Sequence, residues 1–133
     1  MARQKSKLQQ SKNEKGNVVP ITGFDSRPKV ITLCGSTRFW DHFQRVNAEL
    51  TVQGNVVFSV AIPSSGDLSP LPHGTKTVLD QVHFHKIRMS DEILVLNVGG
   101  YIGESTQREI EFAKKIGRKV KYLEQDHLGP LFE

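Results

Sequence analysis

Cysteine occurs once in this chain of 133 residues, so no disulfide can form within it and the fold has to rest on a buried core. No apolar run approaches the ~20 residues of a membrane-spanning helix. Residues 1–15 are too polar for a signal peptide, and together these absences predict a cytoplasmic protein in a reducing setting, with no membrane contact. The body of the chain also lacks an excess of either charge. The net charge of +4 is confined to residues 1–28, where Arg3, Lys5, Lys7, Lys12, Lys15 and Arg27 face only Glu14 and Asp25; the rest holds 12 basic and 12 acidic residues. A nucleic-acid contact, if there is one, would therefore come through the leading segment.

That segment is rich in Lys, Gln, Ser and Asn and has too little apolar surface to offset the entropy of ordering it. Residues 1–17 are expected to be disordered, and residues 1–26 are assigned to a basic tail that serves solubility or tethers nucleic acid or protein. Val18–Ile21 is a candidate edge strand. Residues 27–133 form the domain, whose length suits one core burying about two-thirds of the unfolded surface.

From Lys29 onward, short apolar runs alternate with helical periodicity, the pattern of βαβ units on a parallel sheet. Val30–Cys34 reads as a buried central strand. A helix is predicted from Arg38 to Gln53, with Phe39, Phe43, Val46 and Leu50 inward and Gly54 as its stop. Strands at Val56–Val60, Ile93–Asn97 and Val120–Leu123 alternate with helices at Thr77–Met89 and Thr106–Ile116. Three prolines and two glycines between Ala61 and Thr75 predict a long loop. The expected architecture is an α/β, three-layer, doubly wound sandwich, flavodoxin- or Rossmann-like, with a mainly parallel sheet of four to five strands in the order 2-1-3-4. Ligands in such sheets bind outside the strand carboxyl ends where the order reverses, which brings Gly35–Arg38 beside Asn97–Thr106.

Both loops run from a strand into a helix. Gly35, Ser36, Thr37 and Arg38 combine free amides with side-chain donors suited to an anion, but Ser36 or Thr37 would serve equally as a helix cap, with Arg38 solvated. Gly103, Ser105 and Thr106 offer a second such cradle, with Tyr101 placed to touch a ligand. Here Thr106-x-x-Glu109 also matches a capping box, in which Glu109 would turn back to a backbone amide. Phe39 and Trp40 read as core, and Asp91 as a turn residue ahead of a buried strand. His83 and His85, two apart on a helix, point to opposite sides, so neither a metal nor another cofactor is expected.

The run from Val30 through Cys34-Gly35-Ser36-Thr37-Arg38, the segment Asp91-Glu92-Ile93-Leu94-Val95, the stretch from Gly103 to Glu109-Ile110-Glu111-Phe112-Ala113, and Gly117-Arg118-Lys119-Val120 together resemble the nucleoside 2-deoxyribosyltransferase superfamily. The likeness covers nearly all of Lys29–Glu124 and is strongest to the small nucleotide N-glycosidases, whose first strand ends in a similar Cys-Gly-Ser-x-Arg. The resemblance implies that Glu109 is the nucleophile attacking the anomeric carbon, that phosphate lies near Gly103, Ser105 and Ser36, and that the chain forms a homodimer. Where the family carries an aspartate in the helix before the third strand, this sequence has His83, with Asp80 one turn earlier and His85 beyond. His83 is read either as a structural histidine or as a partial substitute that donates to the leaving base or the sugar. The expected activity is cleavage of the base from a nucleoside 5'-monophosphate. Its alternatives are a 2-deoxyribosyltransferase, a nucleotide-binding sensor without turnover, and an adaptor docking through its tail.

Deleting residues 1–17 is expected to leave the melting temperature unchanged, as measured by thermal denaturation. A fall of more than about 4–8 °C, the equivalent of ~1 kcal/mol in a domain of this size, would contradict the reading of this segment as a tail.

Overall fold

The computed structural model describes residues 27–61, 71–125 and 129–130. The tail assignment, the candidate strand at Val18–Ile21 and the middle of the long loop lie outside the described residues.

Four parallel strands form one sheet in the order β2-β1-β3-β4, as the sequence pattern predicts. They are β1 (Val30–Cys34), β2 (Val56–Phe58), β3 (Glu92–Val95) and β4 (Lys119–Tyr122), and the helices between them are α1 (Trp40–Val52), α2 (Thr75–Arg88) and α3 (Glu104–Lys115). Glu124–Gln125 and Gly129–Pro130 add a short antiparallel ribbon that the pattern did not announce.

Strand side chains alternate between two cores, as the period of two requires. Ile31, Leu33, Leu94 and Leu96 face Phe43, Val46 and Leu50 of α1. Cys34, Ile93 and Val95 face Ile87 of α2 and Ile110 and Ala113 of α3. The outcome is a three-layer sandwich with α1 on one side of the sheet and α2 and α3 on the other. Thr32 is the polar exception in β1. Fully buried, it donates its hydroxyl proton to the Lys86 carbonyl at 3.0 Å, which ties the last turn of α2 to the sheet.

Asp91 does what a turn residue should. Its carboxylate accepts from the Val30 amide at 2.8 Å and from Arg27 at 2.6 Å, while its own amide donates to the Val30 carbonyl at 2.8 Å. That pairing sets the β1–β3 register, in which Cys34 lies opposite Val95. Glu92, buried at the start of β3, pairs with Lys29 at 3.6 Å and Lys121 at 3.3 Å from the strands on either side.

Element ends differ from expectation where loops take over the backbone. β2 stops pairing at Phe58, and the Ser59 carbonyl instead accepts from Lys86 Nζ at 2.6 Å. After β3, Asn97 leaves the sheet and grips the backbone of Glu124 through both ends of its amide, at 2.8 and 2.9 Å. α1 starts at Trp40, after a 3-10 turn over Thr37–Phe39, and not at Arg38. α3 starts at Glu104 with Gly103 as N-cap, so the capping box expected at Thr106 does not form; Thr106 is buried in the first turn.

Gly35 fits only as glycine. Its φ is +153°, and a Cβ there would meet the Leu96 carbonyl oxygen at 3.1 Å and the Phe43 ring at 3.4 Å. Gly35→Ala is expected to cost at least about 2 kcal/mol, from backbone strain plus overpacking, as read by urea unfolding. A loss below about 0.5 kcal/mol would show that the close approach of β1 and β3 is not needed.

Candidate functional site

At the carboxyl ends of β1 and β3 the chain turns to opposite sides, α1 leading back to β2 and α3 leading on to β4. The crevice this leaves is a cleft of about 900 Å³, a volume suited to a nucleotide-sized molecule. Its walls come from Gly35 and Ser36 after β1, from Tyr101, Gly103 and the first turn of α3, and from one face of α2.

Glu109 lines this cleft from the second turn of α3, where its side chain is 14% exposed. The i, i+4, i+7 spacing of Thr106, Ile110 and Ala113 forms the buried face of α3, and Glu109 sits at the edge of that face, toward α2. Across from it, His83 Nε2 lies 3.7 Å from Glu109 Oε1 and 3.5 Å from Cys34 Sγ. A carboxylate, an imidazole and a thiol thus meet at one point.

Burial dominates the electrostatics there. Removal from water raises the Glu109 carboxyl to about 7, partly opposed by hydrogen bonding with the Cys34 thiol and reinforced by the charge of Asp80. The same cause lowers His83 to about 4, with Lys86 adding to the shift, so the imidazole is neutral at physiological pH. It stands beside Glu109 uncharged, at 3.7 Å. The Cys34 thiol is pushed well above its ordinary value by burial and by Glu109, and stays protonated.

The first glycine loop is used locally. Ser36 Oγ accepts from the Arg38 amide at 3.2 Å and caps the short turn, while Ser36 still lines the cleft. Arg38 does not line it. Its guanidinium stands 4.3 Å over the Tyr101 ring and reaches the Tyr101 hydroxyl at 3.3 Å, so it braces a ligand-facing residue from behind. Phe39 packs against the core, and Trp40 is half-buried away from the cleft. The second loop turns to the cleft: Tyr101, Gly103, Ser105 and Thr106 all line it, at the N-terminus of a 12-residue helix with no side-chain cap on its amides. Ser105 Oγ accepts from Arg108 at 3.3 Å.

α2 contributes more than His83. Lys76, Asp80 and Lys86 share its cleft face, and Lys76 pairs with Asp80 at 3.2 Å. Their spacing from His83 is three to seven residues, so helical periodicity alone would have gathered them once His83 was known to face inward. His85 is exposed on another side. Val60, Leu71, Leu79 and Val82 add apolar lining.

Comparison with family models, curated proteins and solved structures returned no match, so the site stands on its own geometry. Among the described residues, no helix is long and apolar enough to cross a membrane.

The two shifted groups make opposite contributions to stability. Glu109, raised from 4.5 to about 7, contributes stability that is full below pH 4.5 and is lost as pH rises to 7. His83, lowered from 6.5 to about 4, contributes stability that is full above pH 6.5 and is lost as pH falls to 4. In wild type the two slopes oppose each other, and single variants should expose each one. Relative to wild type, Glu109→Gln should lose stability on acidification and His83→Gln on alkalinisation, by about 1–3 kcal/mol across the window, measured by urea unfolding in a pH series. Identical slopes in all three proteins would contradict this.

Proposed function

We propose that the protein is a member of the nucleoside 2-deoxyribosyltransferase superfamily that hydrolyses the N-glycosidic bond of a nucleoside 5'-monophosphate. The observation that carries this reading is the Glu109 carboxylate, desolvated in a cleft of nucleotide size beside a neutral His83. In support, one wall of the cleft is the uncapped N-terminus of α3, the other carries Lys76, and the apolar residues between them suit a base.

In the mechanism we assign, the amides of Glu104–Thr106 with Ser105, Ser36 and Lys76 hold the 5'-phosphate. A Glu109 oxygen then forms a bond to C1' as the C1'–N bond breaks, the electron pair leaving with the base, which takes up a proton from solvent. Water then attacks C1' of the resulting ester and gives up a proton to solvent as the bond from C1' to the Glu109 oxygen breaks, which returns the carboxylate and releases the sugar phosphate with its configuration retained. His83 acts by positioning Glu109. Asp80, the carboxylate on the α2 wall, is the acceptor available to the sugar hydroxyls, in the role that an aspartate plays in the family.

Incubation with a panel of nucleoside monophosphates should release free base, detected by chromatography, with kcat/KM rising with pH through about 7 as Glu109 ionises. Glu109→Gln should reduce turnover by at least about a thousandfold and still bind the nucleotide. Binding without turnover in the wild type would instead favour a sensor, and full turnover by Glu109→Gln would defeat the mechanism.

A further inference from the structure

Glu109 has neighbours that a glycosidase nucleophile does not require. Cys34 Sγ, His83 Nε2 and a Glu109 carboxylate oxygen all lie within 4.8 Å of one another, the one such group of three potential metal donors among the described residues. In a tetrahedral zinc site with bonds of about 2.3 Å to sulfur and 2.0–2.2 Å to nitrogen and oxygen, the donor atoms stand roughly 3.3–3.6 Å apart. The two contacts resolved here are 3.5 Å for sulfur to nitrogen and 3.7 Å for nitrogen to oxygen. The remaining edge closes by rotation of a carboxylate on a flexible side chain.

The donors come from three elements that the fold holds in place. Cys34 is fixed at the end of central strand β1 with no exposure, His83 is buried on α2, and Glu109 projects from α3. Charge favours the same conclusion. Glu109 faces a neutral His83 at 3.7 Å, and the Arg108 and Lys76 charges act on it only at a distance, since neither forms a salt bridge with it. A thiolate, a carboxylate and a neutral imidazole together carry two negative charges, which a divalent cation cancels in a place where uncompensated charge is costly. His83 and Glu109 both line the cleft, so a fourth coordination position faces its interior.

We propose that Cys34, His83 and Glu109 bind one zinc ion, which withdraws Glu109 from the sugar and so switches the site off. Binding displaces the thiol proton of Cys34, and the carboxylate oxygen that would attack C1' becomes a metal ligand. The inhibitory consequence rests on the glycosidase reading; the binding does not.

The test uses the full chain, stripped of metal with a chelator and titrated with cobalt(II) as a spectroscopic substitute for zinc. One equivalent of cobalt should produce a thiolate-to-cobalt charge-transfer band together with the intense visible bands of four-coordinate cobalt, and zinc should abolish both. Cys34→Ala, shown by circular dichroism to be folded, should lack the charge-transfer band. Glu109→Gln, which preserves side-chain shape, should weaken zinc binding by at least about 100-fold, more than the loss of a group one shell removed from a metal. No charge-transfer band in the wild type, a band that survives in Cys34→Ala, or unchanged zinc affinity in Glu109→Gln would each overturn the site. If the stripped protein releases base from a nucleotide, one equivalent of zinc should suppress release, and full release with zinc bound would overturn the switch. No base release from the stripped protein would defeat the glycosidase reading alone, since the cobalt spectrum decides the metal site independently.

Discussion

Strands β1 and β3 are apolar on both faces, so each must be covered from both sides, and they lie next to each other in parallel register set by the reciprocal Asp91–Val30 contacts. Everything of chemical interest follows from that pairing. The chain leaves β1 toward β2 on one side and leaves β3 toward β4 on the other, so the two departing loops open a crevice between them at the carboxyl edge. The close approach at Gly35 and Leu96 keeps the crevice floor tight, and Cys34, the last residue of β1, points from that floor into the layer formed by α2 and α3.

Function appears where this packing is incomplete in polar terms. Three titratable side chains share a space that offers them little water, and each responds in the direction that favours its neutral form: a protonated thiol, a neutral imidazole and a carboxyl raised to about 7. A ligand that fills the cleft or a cation that enters the cluster would change the protonation of all three. Because the slopes of Glu109 and His83 oppose each other, their contributions to the pH dependence of stability are expected to offset where their windows overlap.

Much of the fold was legible because its signals are physical and local. Buried runs at Val30–Cys34 and Ile93–Val95 mark the central strands, the Phe43, Val46, Leu50 spacing marks the helix that covers them, and right-handed crossovers between parallel strands then favour the order 2-1-3-4. The misreadings have causes of the same kind. Gly103 caps α3 without a side chain, so Thr106-x-x-Glu109 looked like the start of the helix, when Thr106 and Glu109 are instead turned toward the interior. For Arg38 the loop sequence left an anion ligand and a solvated side chain open, and it could not reveal the contact of its guanidinium with a Tyr 63 positions away. The meeting of Cys34 with His83, 49 positions apart, depends on which face of α2 turns inward, and the weak amphipathicity of that helix hid it.

The central claim is that Glu109 is a nucleophile and not a structural acid. A 2-fluorinated nucleoside 5'-monophosphate should form the glycosyl ester and slow its hydrolysis, so that mass spectrometry of the digested protein finds the sugar phosphate attached to the peptide containing Glu109. One adduct per chain is expected at Glu109 and none in Glu109→Gln. An adduct elsewhere, or base release from this substrate with no covalent species at any time point, would contradict it.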